Sequence, residues 1–410
     1  MVFPELIKPA NSLGQMFFYG FMLLATQLPV AGVAQPCDFE KEDCQVTEIN
    51  AIESSEEWQG PTLRTRVRLY GSFESIDPPD MAVDNSRLND AYVRRADLTF
   101  RGSLLDDVGY YLKAEFMDAE LDIRDVYVSY ESSIGRIMIG LLDPIDEGVD
   151  PSYREFLESS AVEGFAPSNQ LGVGFFSAGE NWTFFLGAMK DRVDKDHIEE
   201  AGPVYSTRFT IAPSVPEGYL LHLGGYASWR KTEGDEDLYR YNTTSMLRMG
   251  ESYVDTGEVA DEEMLVGIEL GLNIGATSFD GQCAVVRASV PLAQQSHAYL
   301  KGCYLAGIWT LTGEGRYYGG DGFTLLRVNT SVFEGGTGAW QIGARYDTID
   351  LSDNAIQGGG QDTWTYSLNW YLNGRFWLSA NYSRAKFQDN AFDGDVTDGW
   401  GARAQYIIEW

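Results

Sequence analysis

From residue 62 onward, apolar and polar side chains alternate in short runs separated by polar turns. The final run sets Trp400, Ala402, Ala404, Tyr406, Ile408 and Trp410 against Gly401, Arg403, Gln405, Ile407 and Glu409. A period of two describes a strand with one face on an apolar phase and the other on water. Near the start, Leu63, Thr65, Val67 and Leu69 alternate with Arg64, Arg66, Arg68 and Tyr70. Three arginines on one face exclude that face from hydrocarbon. A strand with its other face in lipid cannot leave an edge unpaired, so the sheet must close.

Read this way, the chain predicts an all-β fold: a transmembrane antiparallel β-barrel of about 16 strands, an even number as in single-chain bacterial barrels. The first eight runs are Thr62 to Phe73, Tyr92 to Leu104, Val108 to Met117, Asp122 to Glu131, Gly135 to Leu142, Gln170 to Ser177, Asn181 to Lys190 and Val204 to Ala212. The next eight are Tyr219 to Arg230, Leu265 to Ala276, Gln282 to Val290, His297 to Thr310, Ala339 to Asp350, Thr363 to Asn373, Arg375 to Lys386 and Trp400 to Trp410. Parity puts the connections 74–91, 143–169, 191–203, 231–264, 351–362 and 387–399 at one end, outside the cell. The joints 105–107, 132–134, 178–180, 213–218, 277–281 and Gly374 fall at the other end and are short, as periplasmic turns are. Leu311 to Gly338 disobeys: it is long and falls on the short-turn side. It either adds strands, with Phe323 to Glu334 as the segment to do so, or folds into the barrel mouth, and the second is expected.

Ahead of the barrel, Lys8 precedes an apolar run from Met16 to Pro29 and the small residues Ala31-Gly32-Val33-Ala34. This pattern predicts a secretory signal peptide, 1–34, cleaved near Ala34. An anchor helix is the alternative, weakened by Thr26, Gln27 and Pro29 inside the run. Residues 35–61 then form a short acidic segment before the barrel, 62–410.

Composition agrees with many short strands: 44 glycines and 13% aromatic residues in 410. The formal net charge is −31, which excludes nucleic acid as a partner. The acid clusters between the predicted strands, as solvated loops or as a cation-collecting surface toward lipopolysaccharide. The four cysteines fall as Cys37 with Cys44 and Cys283 with Cys303. The second pair flanks a turn near Ala293 and would stand opposite each other on paired strands. In an oxidising compartment both pairs are candidate disulfides.

Little points to catalysis. The three histidines are His197, His222 and His297, each alone. No HExxH, GxSxG or GxxxxGK[ST] occurs, and Cys/His spacing for a metal is absent. No enzyme activity, metal or cofactor is expected. Strand register instead predicts inward-facing cations: Arg64, Arg66, Arg68, Arg95, Arg101, Lys113, Arg136, Arg208, Arg230, Arg287, Lys301, Arg345, Arg375 and Arg403. The inward anions are fewer: Asp97, Glu115, Asp125, Glu269, Asp347 and Glu409. Such a basic lumen in an acidic protein would concentrate anions. The plainer alternative is that these cations pair with inward carboxylates to fill the wall. The long interruption from Asp143 to Ser168 could fold inward and narrow a lumen of this width, or merely cover it.

Four fragments resemble the phosphate-selective porin O and P family. Leu311-Thr312-Gly313-Glu314-Gly315-Arg316-Tyr317-Tyr318 looks like its LTGExRxY signature, and Gly338 to Tyr346 is similar to its GAWExxARY segment. Asp350-Leu351 and Asn369-Trp370-Tyr371-Leu372-Asn373 follow in the family's order. Arg94-Arg95-Ala96, Asp125 to Val128 and Phe156-Leu157-Glu158 are weaker matches upstream. The resemblance implies a homotrimeric, 16-stranded outer-membrane porin with an inward-folded third loop, about 143–169, and in some members anion or phosphate preference. It would place Tyr153, Arg154 and Glu158 on that constriction loop. One departure stands out: where the family often carries a GQxKxP-like stretch, this chain reads Gly140-Leu141-Leu142-Asp143-Pro144, an acid replacing a lysine. The expected function is passive diffusion of small hydrophilic solutes, anions in particular, across the bacterial outer membrane. The alternatives are a cation-selective or general diffusion porin, and a non-conducting barrel for adhesion or envelope anchoring.

Overall fold

The structure, a computed structural model, describes residues 60–410 except 84–85, 118–119, 144–154, 167–169, 191–201, 217, 234–237, 245–246, 292–296, 320–321 and 354–355. Residues 1–34, expected to be a signal peptide, and the cysteines Cys37 and Cys44, expected to pair, lie outside the described residues.

In chain order the strands are β1 (Arg64–Asp77), β2 (Leu88–Leu105), β3 (Val108–Met117), β4 (Glu120–Ser132), β5 (Gly135–Leu142), β6 (Gln170–Ala178), β7 (Trp182–Lys190), β8 (Pro203–Ile211), β9 (Tyr219–Lys231) and β10 (Tyr239–Thr243). The remainder are β11 (Val254–Ala260), β12 (Glu262–Ile274), β13 (Thr277–Ser289), β14 (His297–Thr310), β15 (Arg316–Tyr318), β16 (Phe323–Leu326), β17 (Ala339–Asp353), β18 (Ile356–Tyr371), β19 (Phe376–Gln388) and β20 (Val396–Glu409). Sixteen of them close into one barrel, β1 to β9, β12 to β14 and β17 to β20, each antiparallel to its neighbours. Closure is between the first and last strands, from Arg66 opposite Glu409 to Asp77 opposite Asp398. Every backbone edge is thereby paired, as a sheet in lipid requires.

The outer face carries Leu69, Leu186, Phe209, Ile268, Leu305, Trp364, Tyr382 and Trp400, all exposed, as a lipid-facing wall is. The sixteen expected strands are the sixteen of the wall, with shifts at their ends. β13 begins at Thr277, so the expected joint 277–281 lies within the strand. β17 and β18 continue into the expected loop 351–362.

Two long connections carry small sheets of their own. β10 pairs with β11 inside the connection between β9 and β12, an element the alternation did not reveal. β15 pairs with β16 inside 311–338, at the short-turn end. This segment therefore does both things expected of it: it forms short strands, but they stand apart from the wall and fold into the barrel.

Candidate functional site: the lumen

The lumen is asymmetric because three connections pack against one part of its wall. The loop between β5 and β6 crosses to the opposite strands. There Asn369 Nδ2 donates to Glu155 O at 2.9 Å, Arg345 to Glu158 O and Ser159 O at 3.0 Å each, and Arg403 to Leu157 O at 2.5 Å. Phe156, Leu157, Val162 and Phe165 of this loop join one buried apolar cluster with Ala284, Val286, Leu300 and Ile308 of β13 and β14. Tyr241 of β10 and Val254 of β11 belong to the same cluster. The Tyr226 ring packs against Gly267, whose place a side chain could not share: a Cβ there would sit 2.0 Å from the ring.

At the short-turn end the β15–β16 hairpin spans from one side of the lumen to the other. The Tyr318 hydroxyl is 2.8 Å from His222 Nδ1 on β9, while Leu326 packs with Tyr371, Trp377 and Ile407 on β18 to β20. Arg316, 3% exposed, lies between Asp280 of β13 (2.6 Å) and Glu155 of the crossing loop (3.3 Å). Arg208 holds Glu269 with two hydrogen bonds, at 2.8 and 2.9 Å.

The wall from β1 through β5, with Glu409 at the end of β20, keeps its charged side chains partly exposed. Arg66 pairs with Glu409 at 3.5 Å, Arg101 with the same carboxylate at 2.8 Å, and Arg68 with Asp97 at 2.8 Å. Arg95 pairs with Glu115 at 2.8 Å, Lys113 with Asp125 at 3.4 Å, and Arg136 with Glu131. Arg64 is exposed at the short-turn end of the same face. The cations of these pairs are partly exposed while Asp97 and Glu115 are buried, so each cation keeps one side toward the lumen.

Two lumen arginines escape a strict alternation. The β1–β2 register shifts between Tyr70 and Gly71, opposite Arg95 and Val93, so Arg94 is the extra residue of a bulge. Arg94 and Arg95 therefore both point inward, and Arg94 reaches Glu158. A second irregularity lies between β3 and β4, with Leu112 opposite Val126 and Ala114 opposite Ile123. Arg124, within it, contacts Glu115 at 3.2 Å and Asp122 at 3.0 Å. A charged residue followed by a second polar residue in a strand was the signal available in sequence (Arg94-Arg95, Arg124-Asp125), since a bulge re-aims one side chain.

Other expectations are corrected. Arg287 and Lys301 do not face the lumen. They share the outer face with Val285, Cys283, Leu305 and Trp309, and Lys301 lies 3.2 Å from Asp350. The inner face of β13 and β14 is apolar where the crossing loop covers it, at Ala284, Val286, Leu300 and Ile308, and polar at Asp280 and Gln282, so both faces read as mixed. Arg375 is exposed in the turn before β19 rather than inward on the strand. Arg345 and Arg403 do face inward, but their guanidiniums carry the crossing loop. Tyr153 and Arg154 lie outside the described residues.

Glu158 sits on the loop between two guanidiniums, Arg94 at 3.0 and 2.8 Å and Arg403 at 2.7 Å. Burial pushes its carboxyl up, but Arg94 and then Arg403 outweigh it and hold the group down to about 2. Cys283 and Cys303, opposite each other in the β13–β14 register, form a disulfide on the outer face. Among the described residues no cluster of three or more metal-ligating side chains occurs.

Known proteins match this architecture. The family described as phosphate-selective porin O and P matches residues 63–408. A protein of Caulobacter vibrioides is 26% identical over 343 residues, 80% of this chain and 69% of its own length. Porin O of Pseudomonas aeruginosa is 34% identical over 251 residues, 53% of this chain; the chain spans 55% of that relative. The anion-selective porin from Comamonas acidovorans shares the fold at a TM-score of 0.54 and 11% identity, over 85% of this chain and all of that one. With a closed barrel, a charged inner wall and the family match over nearly all of that barrel, the chain belongs to the phosphate-selective porin O and P family and is a bacterial outer-membrane porin.

Proposed function

We propose that this porin passes small hydrophilic anions down their gradients, phosphate-like oxyanions among them. The observation that carries this reading is the partly exposed inner wall of β1 to β5. There Arg66, Arg68, Arg95, Arg101, Lys113 and Arg124 present side chains 13–27% exposed to the lumen. A row of cations in a confined, low-dielectric passage raises the local anion concentration and lowers the entry barrier. Their carboxylate partners temper the field and keep the wall from repelling itself. Passive diffusion needs no cofactor and no reacting group.

The same reading takes the protein as a homotrimer, as the family resemblance implies, with its outer wall against outer-membrane lipid and lipopolysaccharide. It is exported by the segment 1–34, cleaved near Ala34. The inward loop about 143–169 forms the constriction, with Tyr153, Arg154 and Glu158 on it.

The test is the zero-current potential of the purified porin in planar bilayers under a salt gradient. A potential of anion-selective sign supports the reading. A cation-selective current would overturn the lumen assignment and leave the barrel intact. Absence of any current would favour an anchoring barrel instead.

A further inference from the structure

The Arg94–Arg403 pair already holds an anion, and that anion is part of the chain. Glu158 takes two hydrogen bonds from Arg94, one to each carboxylate oxygen, and a third from Arg403. Two guanidiniums converging on one carboxylate are the geometry with which proteins bind phosphate and carboxylate ligands. Three elements build it: a bulge of β2, the inner face of β20, and the crossing loop.

The loop does not depend on this side chain for its position. Arg345 donates to the backbone oxygens of Glu158 and Ser159, Arg403 to that of Leu157, and Asn369 to that of Glu155. Phe156 and Leu157 are buried beside them. The Glu158 side chain is 14% exposed, that of Arg94 17% and that of Arg403 5%, so Arg94 forms the open side of the site. The site therefore borders the water path, and its occupant is carried by a loop held in place by other bonds.

We propose that Glu158 sets the anion affinity of the lumen by competing for the Arg94–Arg403 oxyanion site with solutes that pass it. With the carboxylate in place, two positive charges are answered from within and a phosphate or carboxylate solute is held weakly. This favours throughput, because an ion bound too tightly cannot leave. Glu158 is in this sense a specificity residue: it sets how strongly oxyanions, as opposed to chloride, are retained. The inference rests on the anion-passing reading given above.

The experiment measures inhibition of chloride current by inorganic phosphate in planar bilayers. Glu158→Gln keeps the size but removes the charge and leaves one accepting oxygen where there were two. Losing the competing charge-assisted bonds should lower the half-inhibiting phosphate concentration by about tenfold. Adding Arg94→Gln to that variant should return it to the wild-type value. Glu158→Asp, one methylene shorter and still charged, should fall between and serves if the Gln variant does not insert. Phosphate inhibition unchanged in both Glu158 variants, with an anion-selective wild-type current, overturns this proposal alone. A cation-selective wild-type current overturns the anion-passing reading and this proposal with it.

Discussion

The wall from β1 to β5 and the wall from β12 to β20 alternate with the same period, yet the first keeps its charged side chains partly exposed while the second is covered by the crossing loop and the two hairpins. In the first, Arg66, Arg68, Arg95 and Arg101 stand along the lumen with carboxylates beside them. In the second, Leu265, Val286, Leu300 and Ile308 are fully buried under the crossing loop and the β10–β11 hairpin. The barrel thus has one wall with partly exposed charges, the one proposed to conduct, and one that supports the crossing loop. The supporting wall, β12 to β20, positions the loop through the side chains of Arg345, Asn369 and Arg403, which donate to its backbone oxygens, and that loop brings Glu158 to Arg94 on the other wall.

The largest effect expected comes from the conducting wall. Arg66, Arg68 and Arg95 replaced together by Ala leave Asp97, Glu115 and Glu409 less well answered. Anion-over-cation permeability should fall by about tenfold or reverse, read as the zero-current potential. An unchanged potential would mean that the ion path runs elsewhere.

The supporting wall should respond in stability. Arg316→Ala strands Asp280 and Glu155 without their shared cation, and breaking a buried pair costs roughly 3–5 kcal/mol. The urea midpoint of unfolding, followed by tryptophan fluorescence, should drop accordingly. Phe156→Ala removes a buried ring, 1% exposed, that fixes the loop. A loss of roughly 3 kcal/mol should appear with noisier single-channel current. A quiet, unshifted current would show that the loop is held without it.

A smaller effect concerns pH. The Glu158 carboxyl is held from its ordinary value near 4.5 down to about 2. A depressed carboxylate contributes its stabilisation above the unfolded value and loses it as pH falls through the folded one. The loop contact should therefore persist at pH 4 and weaken only toward pH 2. Current noise recorded across that range checks it. The smallest effect is the sharpest control: Arg287→Ala with Lys301→Ala should leave ion selectivity where it was, because both point away from the lumen. A shift comparable to that of the conducting-wall variant would dissolve the distinction between the two walls.

Strand number, strand direction and the lumen face of β1 were legible in the chain because lipid enforces a period of two at every step. The pairing of Cys283 with Cys303 was legible for the same reason, since a hairpin fixes which residues stand opposite. Arg94 and Arg124 were not, because a bulge is set by the register with a neighbouring strand and leaves only a doubled polar pair as its trace. Nor were the orientations of Arg287 and Lys301. Their assignment depends on what covers the inner face of β13 and β14, and that cover, Phe156, Val162 and Phe165, lies more than a hundred residues earlier. Alternation is a local property that each strand states for itself. The contents of the lumen are a contest among distant segments for the same enclosed volume, which only the closed barrel decides.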